Sequence, residues 1–318
     1  MILSRSYHNL NFDIAISNTT GASRVCTLPQ ARGAVSSPAS SFDEVFPQAS
    51  GVQNAPESGS AFPQTQPKAL TLPQEGNWKV CYILLPEGAM PEVLKWAEKA
   101  ADENSCDIVL ISGMDWNADM SPWMADGVMK KEKVFYGGAP TFLKELVKDS
   151  IPTVEQWLGL KDPRRYLMGI SLSGLFAVWS LVQTDIFKGV ASVSGSLWFD
   201  GFVEWLAKHP MAGSTAAKSP AAGTPAGASV TKSPAAGIPA GASVSAAPGG
   251  FPKVYLSLGK REKNTSDKRM ATVEDCTDAV VDILKEKGVD VTYDLQPGTH
   301  FSPVVPRFES ALAVILAE

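Results

Sequence analysis

Along most of the chain, short runs of consecutive apolar residues alternate with longer stretches whose apolar positions recur every three or four residues. The runs "WKVCYILL" (78–85), "CDIVLISG" (106–113), "RRYLMGIS" (164–171), "FKGVASVSG" (187–195), "KVYLSLG" (253–259) and "VDVTYDLQ" (289–296) predict strands. Between them, "MPEVLKWAEKAADE" (90–103), "APTFLKELVKDSIPTVEQWLGL" (139–160), "GLFAVWSLVQT" (174–184), "WFDGFVEWLAKH" (198–209), 268–287 and 303–317 predict helices, the second of them kinked near Pro152. Residues 3–16 alternate well enough for one or two further strands. Strands that are apolar throughout and separated by helices indicate a mainly parallel sheet covered on both faces, an α/β class in which sites lie beyond the carboxyl ends of the strands.

Two segments break the alternation. From about Thr19 to Gly76 the chain is rich in Ser, Pro, Gln and Ala, as in "NAPESGSAFPQTQPK", and is expected to be a linker or a disordered insertion. Residues 211–250 hold an internal repeat, "KSPAAGTPAGASVT" at 218–231 returning as "KSPAAGIPAGASVS" at 232–245. Proline and small residues offer little to bury, so a mobile loop expansion is expected there rather than a solenoid. The predicted organisation is an N-terminal strand region (1–18), a low-complexity segment (19–76) and one folded domain (77–318) interrupted by the repeat.

Composition narrows the function. With 318 residues and 44% hydrophobic content the chain can bury a sizeable core. A net charge of −5 with scattered lysines and arginines leaves no basic footprint for nucleic acid. The four cysteines, Cys26, Cys81, Cys106 and Cys276, stand far apart and suit reduced structural thiols. The opening residues "MILSRSYHNLNFDIAI" lack the apolar core of a signal peptide, and no run is long enough for a membrane span, so a cytoplasmic protein without a membrane partner is expected. Composition leaves the oligomeric state open.

The chemistry is expected where "RRYLMGISLSGLF" turns from strand to helix. Ser171 falls at that point, the place of a nucleophile elbow, in which the residues two before and two after the nucleophile must be small. For Ser171 these are Gly169 and Ser173; for Ser173 one would be Leu175, which is too large. A serine hydroxyl needs a base, and the chain has three histidines. His8 lies in the N-terminal strand region and His209 closes a helix, whereas His300 follows the last strand in the loop "QPGTHF". In this arrangement the acid falls between serine and histidine in the chain. Glu262, the first carboxylate after "KVYLSLG", is the candidate, Asp267 is the alternative, and Asp294, inside the final strand, is the weaker one.

The block 164–202, with "YLSLGKREKN" and "PGTHF" later, resembles an esterase family of α/β-hydrolases that includes enterochelin esterases, their trilactone hydrolase relatives and S-formylglutathione hydrolase. The resemblance covers roughly 77–318 outside the repeat and implies the α/β-hydrolase fold. It implies a triad of Ser171, Glu262 in a "G-x-x-E" turn after Gly259, and His300. The family's "S-x-S-x-W" segment matches Ser194, Ser196 and Trp198, and "DWNADMSPW" (115–123) is similar to its loop ahead of the long helix.

An acyl-enzyme route also needs oxyanion donors. The N–H of Leu172, at a helix start, is one candidate, and Glu87 or Gly88, after the strand 78–85, should supply the other. Trp116, Trp123 and Trp198 are candidates for an acyl or alcohol pocket. The expected activity is a serine carboxylesterase acting on a small or medium ester without metal or organic cofactor. An acyltransferase on the same triad and a non-catalytic binding protein of this fold are the alternatives.

Overall fold

The computed structural model describes residues 2–17, 77–128, 134–214 and 250–317. The expected linker, and nearly all of the 211–250 repeat, lie outside the described residues. Two short strands, β1 (Ile2–Tyr7) and β2 (Leu10–Ala15), form a hairpin turning at His8. Then follow β3 (Lys79–Leu84), α1 (Pro91–Asn104), β4 (Cys106–Ser112), α2 (Trp116–Asp119), β5 (Met124–Asp126), β6 (Val134–Tyr136), α3 (Ala139–Glu145) and α4 (Ile151–Trp157). The second half runs β7 (Arg164–Ile170), α5 (Leu172–Gln183), β8 (Phe187–Val193), α6 (Phe202–Lys208), β9 (Lys253–Gly259), α7 (Val273–Glu286), β10 (Val291–Gln296) and α8 (Val305–Ile315).

Eight strands make one sheet in the order β1-β2-β4-β3-β7-β8-β9-β10. The hairpin adds antiparallel to β4, and every pair from β4 to β10 is parallel. Alternate side chains of the central strands enter two separate cores. Val80, Tyr82 and Leu84 join α3, α4, α5, α6 and α7 on one face, while Cys81, Ile83, Tyr166 and Met168 meet α1 and α8 on the other. Two buried faces explain why these strands are apolar at every position instead of every second one. Cys81 and Cys106 are free and buried in the second core, where burial pushes both thiols well up from their ordinary pKa.

Some elements differ from expectation for local reasons. The kink before Pro152 is a π-helical turn over Leu146–Ser150, whose wider ladder accommodates a residue with no N–H to give. The expected helix at 198–209 begins only at Phe202, after Gly201 at φ +74°. The 268–287 segment opens as a 3-10 turn, Met270–Thr272. The hairpin β5/β6 and the helix α2, three and four residues long, are too short for periodicity to reveal.

Candidate active site

Ser171 stands between β7 and α5 at φ +56° and ψ −121°, a strained conformation for a residue with a Cβ. Fixed hydrogen bonds hold it there: its N–H donates to Val193 O at 3.1 Å, and its carbonyl accepts from Gly174, Leu175 and Ser196 N–H. Gly169 is obligatory, because a Cβ there would meet the Ser173 carbonyl oxygen at 2.0 Å. Ser173 is fully buried, its hydroxyl 2.8 Å from the Ile170 N–H, from which it accepts, and 2.9 Å from Leu84 O. A serine fits where a stricter elbow has glycine because its one polar atom finds partners inside the turn.

The loop after β10 brings His300 to this point from the end of the chain. Its Nε2 lies 3.1 Å from Ser171 Oγ, and its Nδ1 lies 2.9 Å from Glu262 Oε2. An ionised carboxylate only accepts, so Nδ1 carries the proton toward Glu262 and the Nε2 lone pair faces the serine hydroxyl. Glu262 comes from the tight turn after β9, where Gly259 is again required: a Cβ would come within 2.9 Å of both Glu262 Oε1 and Gly298 O. Oε1 accepts from the Gly259 N–H and the Ser194 hydroxyl, both at 2.7 Å, and from Arg307 Nη1 at 3.3 Å. Burial pushes the Glu262 carboxyl up, but the hydrogen bonds from His300, Ser194 and Gly259 outweigh it and hold the group below its ordinary value.

A cavity of about 200 Å³ opens over these groups, lined by Ser171, Leu172, His300, Trp116, Phe135 and Trp198 among others. Leu172 is the first residue of α5, so its N–H has no carbonyl partner within the helix.

The sequence of the family described as "Putative esterase" matches residues 90–317. The chain belongs to this esterase family. By that membership it is an enzyme of the serine hydrolase class. Among solved structures it is similar to an IroE-like serine hydrolase from Shewanella oneidensis, with 16% identity, 74% of this chain and 69% of that one covered, and a TM-score of 0.52. It is also similar to the siderophore hydrolase EstA from Aspergillus nidulans, with 17% identity, coverage of 76% and 83%, and a TM-score of 0.51. At these identities the likeness establishes the α/β-hydrolase fold. No curated protein matches the sequence.

The other candidates in the esterase are distributed as follows. The Asp267 carboxylate accepts from the Arg269 and Met270 N–H groups at the start of the turn before α7. Asp294 pairs with Tyr255 and Gln296 on the sheet. Trp116 and Trp198 line the cavity, whereas Trp123 packs on Phe199 and Trp205 and donates to Asp200 O. Glu87 and Gly88 line a neighbouring cavity, which His300 also lines, rather than the one over Ser171. His8 packs on Tyr7 and His209 stacks on Trp205.

Two residues at the site had no role assigned from the sequence. Ser194, at φ +50°, donates to Glu262 and accepts from Arg307 Nη1. Arg307 is buried on α8; its Nη2 donates to Thr299 O at 2.8 Å, directly before His300. The signal lay in the spacing: Arg307, Ala311 and Ile315 fall four apart, which places a charge on the apolar stripe of α8.

Among the described residues no helix is long and apolar enough to cross a membrane, and no group of His, Cys, Asp and Glu could hold a metal ion.

Proposed function

We propose that the protein is a serine carboxylesterase that hydrolyses a small or medium ester through an acyl-enzyme, with Ser171 as nucleophile, His300 as general base and then acid, and Glu262 as the carboxylate that orients and charges-compensates the imidazole. The observation that carries the reading is the unbroken chain Ser171 Oγ, His300 Nε2, His300 Nδ1, Glu262 Oε2, with links of 3.1 and 2.9 Å. In this reading the Leu172 N–H supplies an oxyanion donor, worth about 3 kcal/mol of transition-state stabilisation. Glu262 is favoured over Asp267 as the acid because its carboxylate touches the imidazole and that of Asp267 is engaged at a helix start. Arg307 is a positioning residue: it ties Glu262, Ser194 and the Thr299 carbonyl together, so the acid and the histidine loop share one support.

Labelling with a fluorophosphonate tests the assignment. Wild type is expected to react and Ser171→Ala to remain unlabelled; labelling of both, or of neither, overturns it.

A further inference from the structure

The second cavity beside His300 has a volume of about 670 Å³, against about 200 Å³ over Ser171. Its walls are mainly apolar, from Leu85, Met90, Val93, Ile170, Val305 and Phe308. His300 and Phe301 line both cavities, so the two spaces adjoin at the imidazole. Met90 is 50% exposed and Phe301 88% exposed, large apolar side chains kept in solvent at this cavity. No lysine or arginine lines either cavity among the described residues, and Glu87 and Glu92 stand at the larger one, where they would repel an anion.

We propose that the larger cavity binds the alcohol half of the ester and that this half is uncharged and apolar, a long alkyl or aryl group, while the smaller cavity takes a short acyl group. The inference rests on the triad reading and deepens it. Leu172 lines the smaller cavity, so the carbonyl oxygen whose charge its N–H stabilises belongs there, with the acyl chain. The ester oxygen must come within reach of His300 Nε2, and the alcohol then continues past the imidazole into the space beyond it.

The step balances in protons and electrons. Ser171 Oγ bonds to the carbonyl carbon as its proton passes to Nε2. The carbon–oxygen bond to the alcohol breaks, its electron pair stays on that oxygen, and Nε2 returns the proton to it. Water then attacks the acyl-serine and gives a proton to Nε2, which hands it back to Ser171 as the acid departs. An apolar alcohol held in the larger cavity competes with water at that second stage and yields a new ester.

The test uses acetate esters of graded alcohols, from ethyl to octyl and 2-naphthyl, and ethyl esters of graded acyl length. Wild type is compared with the Met90→Asp, Val305→Asp double variant. Met90 caps α1 without a side-chain hydrogen bond, and Val305 opens α8. Carboxylates suit both helix starts, so the variant charges the cavity while supporting the fold. In wild type, kcat/KM is expected to rise roughly three- to fourfold per methylene of the alcohol. In the variant that rise flattens, so that kcat/KM falls most for the octyl and 2-naphthyl esters. An unchanged dependence on the alcohol, or a loss of acyl-length dependence in its place, overturns the assignment. Turnover of no ester by wild type overturns the esterase reading itself, whereas turnover that ignores the alcohol overturns only the alcohol site.

Discussion

Two glutamate–arginine pairs, Glu155–Arg165 and Glu262–Arg307, lie toward opposite ends of the sheet and use the same side chains differently. At the amino end of β7, Arg165 donates to both oxygens of Glu155, at 2.6 and 2.9 Å, and the buried Tyr82 hydroxyl adds a third bond at 3.1 Å. Both carboxylate oxygens are consumed by fixed donors, so the unit only ties β3, β7 and α4 together. At the carboxyl end, Arg307, Ser194 and the Gly259 N–H all converge on one oxygen of Glu262, and His300 takes the other. A saturated carboxylate is a rivet; one held by a single oxygen can serve an imidazole. The difference lies in who the partners are, not in burial, since both glutamates are buried.

Substitutions can break this contrast in order of their effect on turnover. Ser171→Ala and His300→Ala are expected to lower kcat by roughly 10³ or more with the thermal midpoint little changed, because in the proposed mechanism serine, histidine and carboxylate act as a unit. Glu262→Gln should cost less than either, since a neutral amide still fills the space but no longer balances an imidazolium. Steady-state kinetics on one ester series ranks these three.

Arg307→Met should lower kcat about tenfold with KM within twofold, and Arg307→Lys should restore part of it. A purely structural role would lower the active fraction without this recovery. Active-site titration separates the two. Glu155→Ala should leave kcat per folded molecule unchanged yet lose about 3 kcal/mol of stability, because the buried Tyr82 hydroxyl loses its acceptor and Arg165 keeps only the exposed Asp162. Urea unfolding measures that loss. Asp267→Asn is expected to have the smallest effect, with turnover within about twofold and at most about 1 kcal/mol of stability lost.

Acid sharpens the comparison further. The Glu262 pKa is lower in the folded protein than its ordinary value, so its contribution is complete above the ordinary carboxylate range, about pH 4.3. That contribution disappears as pH falls through the lowered folded value. The gap in melting temperature between wild type and Glu262→Gln is therefore expected to be widest above that range and to narrow below it. A gap that widens in acid would mean that the carboxyl is raised instead.

Much of this architecture could be seen in the chain itself. Consecutive apolar runs marked β3, β4, β7, β8 and β9, because a strand buried on both faces has no polar alternate positions. The elbow was legible at Ser171, since steric demand on the neighbours two residues away is a local property that Gly169 meets and Leu175 would not. Chain order and loop position made Glu262 and His300 candidates. Choosing between Glu262 and Asp267 was different: they lie five residues apart in one loop, position after the strand only ranks them, and the tight turn at Gly259 is what brings the Glu262 carboxylate to the imidazole. Arg307 and Ser194 lie 45 and 68 residues from Glu262 along the chain. No short-range pattern encodes such meetings. The larger cavity likewise exists only because the loop after β3, the start of α1 and the start of α8 converge beside His300. Periodicity and sterics act over a few residues and so are written in the sequence; the pairing of distant polar groups is set by which strands become neighbours, and that is decided when the whole sheet assembles.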